Sequence, residues 1–311
     1  MTTSSDHKGF VSDDEFANVM LPGTRALDAL ANTFISMNER HGYIAAASSR
    51  AMAEIAAEAR FASEAWPEPA HNAHTMVGML NRAGVDHAAS FAHLFSSAPI
   101  PVYAHLVIAR AAMEAFAWAY WLGDPNIGVE LRIKRSKVWQ LADAQQLRRL
   151  RMDELVMRSK RLKARVRRGA PKGWTIVCND KTISVDGETK PTTTQAISAV
   201  LRIDPKASLT GGGPLWGYLS GVVHASQYAL ISSMEPDTAA EEIELGPYLA
   251  ATVTGSDRVH FIAANICRAA INACDAEVSL LGWDHDPAWQ TAVNNAAAYI
   301  QAVIQSTAPR A

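Results

Sequence analysis

Residues 102–125 read VYAHLVIARAAMEAFAWAYWLGDP. Strong helix formers (alanine, leucine, methionine) recur as far as Leu122, and the run reads as the most apolar of the long helices. Gly123-Asp124-Pro125 then closes it: glycine supplies the terminal turn and proline cannot continue a helix. A helix this apolar is buried against other helices. Its two charges, Arg110 and Glu114, stand i and i+4, so burial obliges them to pair or to serve a site.

The same three-to-four-residue apolar spacing recurs on both sides, which sets the expectation of an all-α helical bundle. Before the central segment, Ser12-Asp13-Asp14-Glu15 reads as a helix start, and Leu21-Pro22-Gly23 reads as its break. Thr24 then caps a helix to about residue 39, another is expected over 43–65, and Gly84 separates two short ones over 73–82 and 86–95. After it comes a basic stretch, read as one long or broken helix. The pattern changes only at 174–186, where Trp174-Thr-Ile-Val-Cys178 and Thr182-Ile-Ser-Val185 flank Asn179-Asp180-Lys181 and predict a small β-hairpin insertion. Gly211-Gly-Gly213-Pro214 introduces a helix to about residue 234, and two more follow over 258–281 and 287–305. The expected organisation is a flexible leader over 1–11 and one helical domain over 12–311. Its N-terminal half spans 12–170 and its C-terminal half 191–306.

Composition narrows the class. At 49% hydrophobic and 19% charged residues, the 311-residue chain is that of an ordinary globular protein. No apolar run reaches about 18 residues, so no membrane span is expected. The polar, acidic N-terminus lacks a secretory pattern, and a cytoplasmic location is the default expectation. Cys178, Cys267 and Cys274 form no CxxC or metal-ligand spacing and read as reduced thiols, the last two buried on one helix face. No cofactor or metal is expected. His71 and His74 lack a third ligand, and Gly211-Gly212-Gly213 lacks the lysine and preceding strand of a phosphate cradle.

Charge is far from evenly spread. Residues 131–168 hold fourteen of the 29 lysines and arginines against Asp143, Asp153 and Glu154, a net +11 in a chain whose total is −2. Such a concentration attracts polyanions or docks on an acidic surface. Arg148, Arg149, Arg151, Arg158, Lys160, Arg161, Lys163, Arg165, Arg167 and Arg168 are the candidate nucleic-acid contacts. Only Trp139 and Trp174 offer aromatic faces nearby, so contact with the phosphate backbone fits better than base readout. The plainer alternative is a solvated helical face.

The candidate chemical site is in 215–226, LWGYLSGVVHAS. On a helix Ser220 and His224 share a face, and a histidine among apolar residues is readily tuned for proton transfer. A histidine satisfied in the core is the alternative. Trp118, Trp121 and Trp216 suggest a small-molecule pocket, although aromatic residues so placed also build cores.

In order along the chain, Arg110 and Glu114, then Trp121-Leu122-Gly123-Asp124-Pro125, then Pro191-Thr192-Thr193-Thr194, then Tyr218, Ser220 and His224 resemble a broad bacterial group of all-helical proteins. The match covers roughly residues 101–230. That group is similar in turn to HEPN (higher eukaryotes and prokaryotes nucleotide-binding) domains, many of which are metal-independent ribonucleases that act as dimers through Arg-x(4–6)-His. The resemblance implies a homodimer and a catalytic set. His224 would move protons, Arg110 would hold an anion and Glu114 would orient either one, with Ser220 and Tyr218 alongside. The group's arginine falls at Gly217 here. The expectation is therefore a HEPN-like protein that binds RNA, another nucleic acid or a nucleotide without being a competent ribonuclease. The rival expectation is an interaction module whose basic helix docks on acidic surface, such as residues 235–244 of a second copy.

Overall fold

The computed structural model describes residues 13–96, 103–202, 212–225 and 256–307. The expected leader, the end of the helix after Ala225 and the acid-rich stretch 235–244 lie outside these residues. The central segment forms α4 (Ala104–Gly123), which packs against the elements now named α3 (Pro69–His93), α5 (Val129–Arg149), α7 (Thr193–Val200), α8 (Gly212–Val223) and α9 (Ser256–Leu281). Its buried residues, among them Leu106, Met113, Phe116, Trp118 and Leu122, occur all round the helix, as its composition required. Full burial stabilises each of the large ones by roughly 2 kcal/mol. On the outside, α1 (Asp13–Arg40) lies against α3, α9 and α10 (Pro287–Thr307), and α6 (Asp153–Gly169) packs on α5. The described structure is an all-α bundle with one small sheet inserted.

Two expected helix breaks and one expected helix are corrected. The helix α1 runs through Pro22, whose missing N–H affects only an exposed turn at Asn18, and Thr24 Oγ1 donates to Leu21 O instead of capping a new helix. Gly23 lies under Tyr299, and any added Cβ would collide with its ring. The helix α3 is likewise continuous through Gly84, because the Phe116 ring of α4 occupies the space a side chain would need. The expected helix over 43–65 is reduced to α2 (Arg50–Ala56), capped by Ser49 Oγ, and a 3₁₀ turn over Glu58–Arg60. Before it, Gly42 and Tyr43 both take left-handed backbone, which no helix tolerates.

The basic stretch is two helices, separated where Arg151 takes φ 55°. The hairpin pairs β1 (Ile176–Cys178) with β2 (Ile183–Val185) in the expected place, Ile176 opposite Val185. A third strand, β3 (Glu188–Thr189), extends it through a turn at Asp186 and Gly187 with φ 48° and 82°. Lys134 on α5 bridges Glu130 and Asp186 at 2.7 Å each, and Arg135 Nε donates to Glu188 Oε1 at 3.0 Å, so the sheet is clamped to α5 by its cations. Cys267 and Cys274 are buried free thiols. No helix among the described residues is long and apolar enough to cross a membrane.

Candidate functional site

The charges of α4 do pair, loosely: Arg110 Nη2 lies 4.0 Å from Glu114 Oε2. Arg110 also stacks its guanidinium on Trp216 of α8, 4.5 Å from the ring centroid, and Trp118 Nε1 reaches Glu114 Oε1 at 3.5 Å. Thus α4 and α8 meet, through Arg110 and Trp216. His224 is not within the helix. It occupies the turn just after α8, exposed, with its backbone N–H donating to Ser220 O, and Ala225 follows in left-handed backbone. Ser220 and Tyr218 are half-buried on α8. Among the described residues no hydrogen bond or ion pair links His224 to Arg110 or Glu114. Trp118 and Trp121 are core: Trp118 packs edge-on against Trp121 and Trp139, and Lys190 Nζ lies 3.9 Å and 4.1 Å from the Trp118 and Trp139 rings.

The basic stretch divides sharply in use. Its first four cations belong to the protein's own structure: Arg132 is fully buried, Lys134 and Arg135 hold the sheet, and Lys137 is buried with its ammonium 4.8 Å from the Trp66 ring. Burial, assisted by the charge of Arg165, pulls the Lys137 amine down to about 8. Arg148 pairs with Asp180 at 3.0 Å, and Arg149 Nη1 reaches Gln146 Oε1 at 3.5 Å. Beyond Arg151 the pattern reverses. On α6, Arg158, Lys160, Arg161, Arg165, Arg167 and Arg168 are exposed and Lys163 is half-buried. None has a carboxylate partner among the described residues; Arg165 Nε donates to Ala65 O. Ser159, Val166 and Gly169 form the narrow buried stripe, held by Ser159 Oγ on Ala144 O and by Gly169 seated under the Trp66 indole. Helical spacing therefore puts Arg158, Arg161, Arg165 and Arg168 along one flank of that stripe, with Lys160, Lys163 and Arg167 along the other.

A third feature was not anticipated. A cavity of about 820 Å³ opens between α1, α2, α3, the 41–49 loop and the end of α9. Glu277 of α9 lines it, 4% exposed, with Oε2 accepting from Asn81 Nδ2 at 2.6 Å; the same amide group donates to Ala273 O at 3.1 Å. Burial raises this carboxyl to about 7, against the opposing hydrogen bond from Asn81. Its Oε1 lies over Gly78, where a Cβ would sit 3.2 Å away. One turn back along α3, His74 also lines the cavity, and its buried Nδ1 has no hydrogen-bond partner among the described residues.

The other edge of the His74 ring meets a buried ionic cluster. Nε2 is 3.3 Å from Glu54 Oε2, off the line of a good hydrogen bond. Glu54 is gripped by Arg132 Nε at 2.8 Å and Arg50 Nε at 3.0 Å. The remaining Arg132 donors reach Leu122 O, Asp124 O and Ile127 O at the turn between α4 and α5. Burial alone would raise the Glu54 carboxyl, but the His74 ring and the Arg132 guanidinium outweigh it and hold the group at about 2. This cluster fixes α2 as one wall of the cavity.

In the sequence His71 and His74 read only as metal-ligand candidates without a third partner. His71 instead stands exposed at the rim and His74 faces Glu54; no metal-holding cluster occurs among the described residues. The signal that was available is Glu277, an acid on an otherwise apolar face of α9, together with Asn81 inside α3. Set against family models, curated proteins and solved structures, the chain matches none of them.

Proposed function

We propose that the protein is a HEPN-like helical nucleic-acid-binding protein that holds RNA by its phosphate backbone and is not a competent ribonuclease. One observation carries the reading: seven cations between Arg158 and Arg168 line both flanks of α6 with no carboxylate partner among the described residues. Such a helix repels itself until counterions or a polyanion neutralise it, and release of those counterions drives binding. The scarcity of aromatic side chains on α6 favours backbone contact over base stacking. Two observations favour binding without cleavage. Gly217 stands where the resembling domains carry arginine, and exposed His224 forms no hydrogen bond or ion pair with the Arg110–Glu114 pair.

Fluorescence anisotropy of a short labelled RNA, measured between about 50 and 200 mM salt, tests this reading. Each phosphate contact on a single strand contributes about −0.7 to the slope of log affinity against log salt. With all seven cations engaged, affinity falls roughly a thousandfold across that fourfold range. In the Arg158→Ala, Arg161→Ala, Arg168→Ala triple variant the slope becomes shallower by about 2, and the fall shrinks to roughly fiftyfold. An unchanged slope in the triple variant, or no binding at the lower salt, rejects the proposal. Salt-sensitive self-association without RNA affinity would point instead to docking between copies.

A further inference from the structure

We propose that the cavity between α1, α2, α3 and α9 binds an apolar primary amine. Its ammonium would sit between Glu277 Oε1 and His74 Nδ1, and its body against Phe34, Ile55, Leu281 and Trp283. The two acceptors meet at neighbouring turns of α3, one from that helix and one from α9. His74, Gly78 and Asn81 share a face of α3, and Glu277 reaches across to Gly78 from α9. Asn81 serves one carboxylate oxygen and the missing side chain of Gly78 leaves space beside the other. Among the described residues this buried carboxylate has a single amide donor and no counter-charge, and an ammonium supplies that charge together with donors for both open acceptors.

The remainder of the cavity fits such a ligand. Its walls are largely apolar, with the rings of Phe34, Tyr43 and Trp283 among them, which suits the ligand's apolar body. Four large hydrophobic side chains stand exposed around it: Tyr43 at 64%, Ile44 at 71%, Met52 at 38% and Met79 at 68%. Clustering of exposed apolar groups round one opening marks a binding site. Arg82 and Asp86, i and i+4 on α3, contribute one charge of each sign, so Glu277 leaves the lining one negative charge in excess when ionised. The charge therefore selects for cations over fatty carboxylates. This inference does not depend on the RNA-binding reading, because none of its residues lies on α6.

Isothermal titration and thermal melts of the full chain with octylamine, octanoate and 1-octanol separate the alternatives. Octylamine should bind at least tenfold more tightly than either of the others and raise the melting temperature steadily as its concentration increases beyond its Kd. Glu277→Gln keeps the shape and the Asn81 bond but removes the charge, and should weaken octylamine at least tenfold while leaving the octanol affinity unchanged. Gly78→Ala, which favours the α3 helix and places a methyl beside Oε1, should weaken octylamine similarly, and decides the matter if Glu277→Gln does not fold. Octanoate binding as well as octylamine, by its head on Arg82, would overturn the proposal. So would unaltered octylamine affinity in a folded variant, or failure of all three probes to bind.

Discussion

Glu277→Gln has a second consequence, readable without any ligand. In the folded protein the carboxyl titrates near 7, because burial disfavours its charged form, whereas unfolding returns it to about 4.5. The folded-state value lies above the unfolded one, so the neutral form is the one the fold prefers. Its contribution to stability is complete below the unfolded value and is lost as pH rises through the folded value. Linkage gives a loss of about 2 kcal/mol between pH 5 and pH 7, with only a few tenths more by pH 8. The glutamine of the variant has no proton to lose and should not show this dependence. Urea unfolding of both proteins at pH 5, 6, 7 and 8 measures it. Subtracting the two curves removes contributions common to both, such as those of Asp275, which burial also raises, and of Glu54. The expected result is that the variant gains stability relative to the parent as pH rises, levelling off above 7. Parallel pH profiles would refute the argument, because they would mean that water in the cavity solvates the carboxylate fully.

Two further changes probe how the surrounding structure is held. Arg132→Met leaves Glu54 buried beside only Arg50 and His74 and strips donors from Leu122 O, Asp124 O and Ile127 O; calorimetry should show a loss of about 3–5 kcal/mol. Adding Glu54→Gln should recover part of that loss, and a strictly additive double variant would contradict the view that the orphaned carboxylate is the main cost. Gly169→Ala drives a methyl into the Trp66 indole and should cost about 1–3 kcal/mol, with faster amide exchange at the end of α6; an unaltered melting temperature would disprove that contact.

The elements of this bundle were legible wherever local signals and packing agree. The apolar run ended by Gly123-Asp124-Pro125 became α4, and the helix expected from residue 287 became α10, capped by Asp286 through Ala288 and Trp289. They were misread where a long-range contact overrides a local signal. Gly23 and Gly84 look like helix breakers in one dimension, but they are sites where Tyr299 and Phe116 need room. The site divides the same way. The exposed cations of α6 could be anticipated, because they are concentrated along the chain. The absorption of Arg132 and Lys137 into the interior could not, since it depends on Glu54 and Trp66, each more than seventy positions away. The cavity was illegible for the same reason. Its acceptors, His74 and Glu277, come from α3 and α9, more than two hundred residues apart, and only the folded chain places Glu277 over Gly78.

The seating of bulky groups on glycines solves a problem that alanine-rich helices create. Smooth helices can slip by one turn, about 5.4 Å, and still present alanine to alanine, so area alone scarcely distinguishes correct from shifted alignments. Tyr299 on Gly23, Phe116 on Gly84 and Trp66 on Gly169 act as locating pins, each of which fits one notch and strikes a Cβ in any other. They index α1 to α10, α3 to α4 and α6 to the loop beneath it. Glu277 on Gly78 indexes α3 to α9 in the same manner, but this pin carries a charge, so the part that sets the alignment there is also a part that can titrate.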